Sequence, residues 1–513
     1  IMANALLSRV SYIKDYFLFV DPFGGKKSFR ENVQPLRDAI AYLESGKVLV
    51  IFPAGTVSHL HLDRREVSDP PWSDTVSRII RRAKCPVVPI FFQGRNSILF
   101  QLLGLVHPLL RTALLPRELG NKKGHLIRLK IGKSIAYEKL NSFDNARMVD
   151  YMRLRSYILA DHNYHDHESR LKRTFRTLIT SRRSTTVPVE QYEEVAKEEP
   201  GDILTAEIDK LPADQVLFES DGYAVIHARS HQIPHLLREI GRLREITFRD
   251  AKEGSGKSID LDRFDNYYIH LFVWNRAKKE LVGGYRLGKS DRILRRFGKK
   301  GLYTSTLFDY DSRLLEQISP ALELGRSFIR KEYQKSYTPL LMLWKGIGHY
   351  VVKNPKYKML FGPVSINNEY LSLSRQLIMT FLTANNFHTE LSRLIRAKNP
   401  LRIHPIRGLE PDVASFVVKD LKDVAELLDE IETTQKSVPV LLRQYLKLGG
   451  KLLGFNVDPS FGNVLDGLLL VDLTETEPKL RERYLGKKGA YEFMAFHGLS
   501  HKATLHERSD SAE

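Results

Sequence analysis

Cys85 is the only cysteine among 513 residues. One thiol cannot close an intrachain disulfide or build a cysteine-rich metal cluster, and it suits a reducing compartment; no metal and no permanently bound cofactor is expected. The chain also has no run of the ~18 apolar residues that a membrane-crossing helix needs, and its observed start carries no secretory signal. The nearest approach is Asn96 to Leu110, uncharged but too short to span. It reads either as a buried helix or as a segment lying on a bilayer surface with Arg95 and Arg111 at its ends. No histidine precedes Asp21, no internal repeat is present, and the first residue is Ile1 rather than methionine, which suggests a start lying upstream.

Acidic residues are in deficit. The formal net charge of +18 implies attraction to something acidic: nucleic acid, an anionic bilayer, or an acidic protein carrying a phosphorylated prosthetic group. No reader motif with interleaved aromatics accompanies the charge, so nucleic acid is not expected. With 42% hydrophobic and 27% charged residues the chain is ordinary globular protein, long enough for two or more domains.

Helical and strand periods alternate along it, giving an α/β fold class. Ser28 to Glu44 reads as an amphipathic helix, Val48 to Phe52 as a buried strand, Ser73 to Arg82 as a helix, Cys85 to Phe92 as a strand, Ile127 to Ile131 as a short strand and Ser142 to Leu159 as a helix. A basic stretch from His162 to Arg183, with a possible helix over His167 to Thr180, is followed by a proline- and glutamate-containing stretch to Gly201. Beyond it come the strand Tyr223 to Ala228 and the helix Ile233 to Phe248. Tyr268 to Trp274 and Glu280 to Leu287, apolar runs separated by a charged turn, form a hairpin in the middle of a sheet. Further elements are the strands Leu322 to Ile329 and Met359 to Val364, the helices Tyr337 to Val352, Ser372 to Asn385 and Val417 to Glu430, a proline-rich turn closed by Arg402, and, from Pro439 to Leu473, a helix and a final strand. The expected domains are 1–160, a linker over 161–212, a second domain over 213–478 and a tail over 479–513.

Two sets of residues carry chemistry. In the first domain, Ile51-Phe-Pro-Ala-Gly-Thr-Val-Ser58 ends an apolar run in a turn where Gly55 permits a sharp backbone path and Thr56 and Ser58 offer hydroxyls and amides to a phosphate. Asp21-Pro-Phe-Gly-Gly25 lies upstream and Val88-Pro-Ile-Phe-Phe-Gln-Gly-Arg95 downstream. In that order these resemble the second, third and fourth motifs of the lysophospholipid acyltransferase family over residues 1 to 140, implying an incomplete glycerolipid-acyltransferase-like α/β domain. The sequence departs from that pattern at Pro22, at Ala54 where the family has an acid, at Val57 where it has an arginine, and in lacking the histidine of the first motif. His59 and His61 are weak substitutes for that base.

In the second domain, Asp262 and Asp265 precede the hairpin, Arg286 sits in its second strand, and Glu323 and Arg326 occupy the next strand. Charges inside apolar strands are paired or functional, so the set is either a structural ion network or a site. Glu323 and Arg326 point to opposite faces of a regular strand, and a bulge would bring them together. With Arg244 and Phe248, the Val282-Gly-Gly-Tyr-Arg-Leu287 strand and Pro439 to Gly449, this pattern resembles the GNAT-like fold of acyl-homoserine-lactone synthases and, more closely, ornithine-acyl-carrier-protein N-acyltransferases, from about 215 to 475. The two halves together resemble bifunctional ornithine-lipid synthases of the hemolysin-like type.

The resemblance implies transfer of a fatty or 3-hydroxyacyl group from acyl-carrier protein (phosphopantetheine) or acyl-CoA to the amine of ornithine or a related amino acid, and O-acylation of the lyso-lipid by the first domain. Glu323 would act as base, directly or through water, with Arg286 and Arg326 catalytic beside it. Arg244, Phe248, Asp262, Asp265, Gly55, Thr56 and Ser58 would bind substrate, and Lys331, Lys335 and Ser336 the donor's phosphate at a helix start. The partners implied are acyl-carrier protein, an anionic membrane surface and the amino acid, with a peripheral location on the cytoplasmic face of the inner membrane. A noncatalytic membrane- or carrier-binding scaffold is the alternative: a sealed Glu323 favours it, and a Glu323 facing a cleft opposes it.

Overall fold

Continuous apolar strands need a layer on each face, and the second half of the chain supplies both. The computed structural model describes residues 1–4, 16–20, 26–62, 66–160, 192–401, 420–432 and 437–499. Two compact units result, the first from Ile1–Ser184, Ser372–Phe381 and Ile403–Ser437, the second from Thr185–Leu371, Leu382–Arg402 and Val438–Glu513. The Asp21 to Gly25 motif, the basic stretch His162 to Arg183 with its candidate helix, and Arg402 lie outside the described residues.

The second unit is built on one eight-stranded sheet: β1 (Val216–Ser220), β2 (Tyr223–Arg229), β3 (Ile269–Asn275), β4 (Glu280–Lys289), β5 (Ala321–Ile329), β6 (Met359–Ile366), β7 (Lys451–Asp458) and β8 (Val464–Asp472), in the order β7-β8-β6-β5-β4-β3-β2-β1. Helix α1 (Pro234–Asp250) packs Leu236, Ile240 and Leu243 against Ile226, Phe272 and Trp274 on one face. Strand alternation turns Val225 and Leu271 to the other face. There, helix α2 (Thr338–Lys353) brings Gly346 against both of them.

Neighbouring strands are antiparallel except β5 and β6, which run parallel and pair only at Ala321 with Met359, Leu322 with Leu360 and Glu323 with Phe361. Past that point they part. Glycine is required at the fork, because a Cβ on Gly362 would lie 2.1 Å from the Leu324 carbonyl oxygen. β5 also bulges against β4, so that Gly284 faces Phe328 but Arg286 faces Gly325, and Arg326 holds the positive φ of 50°. The extra residue lies between Gly325 and Phe328, so Arg326 leaves the regular alternation of the strand while Glu323 keeps it.

Two boundaries differ from the sequence reading. Within the expected linker, residues 192–212 are folded: helix Gly201–Asp209 buries Leu204 and Ile208 against α1, and Glu207 accepts hydrogen bonds from the His235 and Leu236 amides at the α1 start, both at 2.9 Å. Those amides have no partner within their own helix, so the carboxylate satisfies them. The expected tail is likewise helical over Pro478–Leu485 and Lys487–Phe496, where Gly348 and Gly489 allow close approach to α2. Residues 500–513 lie outside the described set.

In the first unit, helices Lys26–Glu44, Thr75–Ala83 and Asn145–Ile158 form as the periodicity predicts. Helix Leu421–Ile431, expected in the second domain, belongs to the first unit: Asp423 pairs with Lys139, Asp429 with Lys133 and Glu430 with Arg155. Val48 to Phe52 is not a strand. Leu49 and Ile51 pack on the Ala39 and Ile79 cluster, whereas Val48 is 83% exposed and Phe52 56%. Asn96 to Leu110 breaks into helices Ile98–Val106 and Pro108–Ala113. Phe100 and Gln101 are buried, whereas Ile98, Leu99, Leu102, Leu105 and Val106 are exposed, contrary to a fully buried helix. No helix among the described residues is long and apolar enough to cross a membrane.

Candidate active site

Three arginines from three elements converge on the α1 face of the sheet. Arg244 comes from the middle of α1, Arg286 from β4 and Arg326 from the β5 bulge. Between them lie Asp260, Asp262 and Asp265, the last two on a 3-10 turn in which the Asp262 side chain accepts the Phe264 amide and Asp265 returns to the Asp262 amide. Arg244 donates to Asp260 and Asp265, each at 2.9 Å. Arg286 donates to Asp262 at 2.6 Å and approaches Asp265 at 3.1 Å. Arg326 stands 3.3 Å from Asp260 and 3.6 Å from Asp262. Each aspartate thus bridges two arginines, and the three charges of each sign balance.

Burial raises the cost of ionising Asp265, yet Arg244 and Arg286 outweigh it and hold the carboxyl below its usual range. The same competition leaves Asp260 lowered. Aromatic rings complete the lining. Arg286 lies over Phe264, Tyr268 and Tyr303, and Arg326 lies between Tyr303 (4.9 Å) and Phe461 (4.3 Å). Phe248 meets Phe461 edge to face at 5.5 Å. Arg244, Phe248, Asp262, Asp265, Arg286 and Arg326 are therefore gathered as the sequence reading grouped them.

Glu323 is in the same face but not in a cleft. It is 1% exposed, its Oε1 accepts the Thr304 amide at 2.6 Å, and its Oε2 accepts the Tyr303 amide and the Tyr268 hydroxyl. Burial pushes its carboxyl up, with the Thr304 and Tyr268 hydrogen bonds opposing. Glu323 is sealed for a geometric reason: the 3-10 turn Tyr303–Thr306 folds over β5 and aims its amides at the carboxylate.

Beyond the fork, a second group of acids was not anticipated. Asp466 on β8 is 4% exposed and accepts the Ser365 hydroxyl of β6 at 2.9 Å. Asp458, at the end of β7, accepts the Ser460 amide at 2.9 Å, and Glu253 follows α1. Burial is the largest cause raising each of them, and Arg326 pulls the other way. Asp466 is pushed up to about 7 with Asp458 adding to the rise, and Glu253 to about 8 with Asp466 and Glu369 adding. Asp466 was legible, since it is a charge inside the apolar run Val464 to Val471, the criterion that singled out Arg286 and Glu323.

The expected donor residues sit in the segment between β5 and α2. Ser336 accepts the Thr338 amide at 3.2 Å at the start of α2, Lys331 pairs with Asp250 at 2.8 Å, and Lys335 is exposed. In the first unit, Gly55 takes a positive φ of 66° in a turn with Thr56 exposed, but the Ser58 hydroxyl is occupied by Asp69. His59 and His61 lie side by side on a short strand and contact the backbone carbonyls of Val57 and Ser68 at 3.4 and 3.3 Å.

Residues 243–345 match the family model described as an acetyltransferase (GNAT) domain. The chain is 30% identical over 299 residues to a glycine N(alpha)-acyltransferase of Phocaeicola vulgatus, spanning 55% of this chain and 90% of that protein. It is 30% identical over 312 residues to a glycine N(alpha)-acyltransferase of Bacteroides thetaiotaomicron, with 57% and 90% covered. To an L-ornithine N(alpha)-acyltransferase of Rhodobacter capsulatus it is 30% identical over 264 residues, with 48% and 90% covered. No solved structure matches the chain.

Proposed function

The chain belongs to the GNAT-type acyltransferase family of these relatives, and from that premise we propose that it transfers a fatty acyl group from a thioester donor to the α-amine of a small amino acid, glycine or ornithine. The observation that carries this reading is the fork between β5 and β6 with Arg326 at its edge. The parted strands have no ladder between their facing edges, so backbone amides there are available to oppose the thioester oxygen as it becomes an oxyanion.

The amine attacks the carbonyl carbon as a carbon–nitrogen bond forms. The carbon–sulfur bond breaks, the thiolate leaves with one proton, and a second proton passes to a base. Arg326, clamped by two rings and facing the fork, holds the acceptor's carboxylate. Arg244 and Arg286 fix the aspartates that aim it. Attack is direct, since Cys85 lies in the other unit and no acyl-enzyme is needed. The phosphate of a phosphopantetheine arm, on a carrier protein or on CoA, would rest at the start of α2 near Lys335 and Ser336.

The aminolipid product of this reaction would remain at a membrane. The first unit suits that location: the exposed apolar side of helix Ile98–Val106 and the +18 net charge fit peripheral binding to anionic lipid. O-acylation of the lyso-product by this unit is part of the same proposal. Sedimentation with anionic but not neutral vesicles checks the membrane contact.

The sealed Glu323 is the one observation favouring a noncatalytic scaffold. Incubating the purified chain with radiolabelled glycine or ornithine and acyl-carrier-protein or acyl-CoA donors separates the two. The catalytic reading expects an N-acylated amino acid, and no product from any donor–acceptor pair leaves the scaffold.

A further inference from the structure

The charges near the fork do not all cancel. Arg244, Arg286 and Arg326 are matched by Asp260, Asp262 and Asp265. Among the described residues, Asp466, Asp458 and Glu253 then have only the already engaged Arg326 as a nearby cation. Among the described residues, Glu253 makes no side-chain hydrogen bond or ion pair, and the only side-chain hydrogen bond of Asp466 is the one from Ser365.

Strand geometry puts Asp466 and Asp458 on one wall of the fork, and Gly462, in the turn between their strands, lies against Lys252 and Glu253. Phe361, Pro363 and Ser365 share a face of β6, and Ser365 stands opposite Asp466 of β8. At ~3.3 Å per residue, Ser365 lies ~13 Å beyond the last β5–β6 pair and Arg326 ~10 Å beyond it on the other strand. Arg326 and Asp466 therefore face the parted region from its two sides, at similar depth.

Resting on the N-acyltransferase reading, we propose that Asp466 is the catalytic residue that takes the proton from the acceptor's ammonium, held in place by Ser365 and assisted by Glu253. An ammonium entering the fork supplies the cation the acids lack. Its proton passes to the Asp466 carboxylate, the neutral amine attacks the thioester carbon, the thiolate takes the proton the new amide nitrogen loses, and Asp466 releases its proton to water before the next turnover. Glu323 is left as a structural acceptor on the same face of the sheet.

The groups facing Asp466 are Ser365 from β6, Asp458 from β7, Arg326 and Tyr303 from the opposite side, and Glu253, itself near Glu369. They set the sign of a test. The wild-type kcat/KM should fall on the acid side with an apparent pKa near 7. Ser365→Ala removes a hydrogen bond that favours the carboxylate, so this limb should move to higher pH with its plateau retained. Asp466→Asn should lose ~100-fold or more in kcat and lose the limb.

A second readout needs no donor. Glycine or ornithine binding at pH 7, measured calorimetrically in two buffers of different ionisation enthalpy, should release protons from the wild type, and the release should fall in Asp466→Asn. Wild-type activity with an unchanged profile in Asp466→Asn, or a limb that does not rise in Ser365→Ala, overturns the assignment of Asp466 alone. A wild type that neither binds an acceptor nor forms product overturns the parent reading and this one together.

Discussion

Replacing Glu323 separates a structural carboxylate from a catalytic one. In Glu323→Gln the side-chain oxygen can keep the Thr304 amide, while the new NH2 group faces the Tyr268 hydroxyl and the Tyr303 amide. The hydroxyl can rotate to accept, and it already receives the Tyr303 amide at 2.9 Å, so no buried donor is stranded outright. What is lost is charge assistance, offset in part by relief of a buried charge, for a net cost of about 1–2 kcal/mol. Glu323→Ala strands the Thr304 amide and leaves a void, costing about 3–5 kcal/mol. At about 2–4 °C per kcal/mol for a unit of this size, Tm should fall by roughly 2–8 °C for Gln and roughly 6–20 °C for Ala. Thermal unfolding followed by circular dichroism reads this, alongside kcat on the same preparations. Glu323→Gln should keep kcat within about threefold, well short of the ~100-fold that losing a general base costs. A Tm unchanged in Glu323→Gln together with a kcat down ~100-fold would refute the structural assignment and restore Glu323 as the base.

Arg244→Ala leaves Asp260 and Asp265 without one of their buried partners and should destabilise by about 3–5 kcal/mol, read as a lower urea midpoint. Gly362→Ala forces a Cβ against the Leu324 carbonyl and should cost about 1–3 kcal/mol, whereas Gly325→Ala meets nothing within 4 Å and serves as the near-neutral control in the same urea titration. Glu207→Gln removes the charge that receives two amides at the α1 start, for about 1 kcal/mol less stability by urea midpoint. Asp466, raised from 3.8 to about 7, contributes stability that is fully present below pH 3.8 and lost as pH rises through 7. The wild type should therefore weaken between pH 4 and pH 7 by as much as ~4 kcal/mol, at ~1.4 kcal/mol per pH unit, and level off above pH 7, and Asp466→Asn should flatten that slope.

The sheet was legible where strands are buried on both faces, because β3, β4, β5 and β6 are apolar runs that few other structures could bury. It was less legible at its edge. Lys451 to Asp458 mixes Asn456 and Asp458 into a strand that closes with β8 across a short turn, and the pair reads as one strand rather than two. Val48 to Phe52 shows the reverse error: an apolar run becomes a strand only where a neighbour offers backbone partners, and among the described residues it has one such bond, from Met2 to Val50, besides the local turn from Gly55 to Phe52.

Within the site, composition located the charges but not their roles. Arg286, Glu323 and Asp466 all violate the apolar pattern of their strands, and the rule that such charges are paired or functional applies equally to each. What distinguishes them is supplied from elsewhere in the chain. Tyr303 and Thr304 deliver amides to Glu323 from a turn about twenty residues upstream, and a buried carboxylate so well supplied has its hydrogen-bonding capacity spent. Asp466 receives one hydroxyl and faces other acids, so its proton stays exchangeable near neutral pH. Proton acceptance at this fork thus follows from how incompletely a carboxylate is satisfied, a property of long-range packing that no local sequence period encodes.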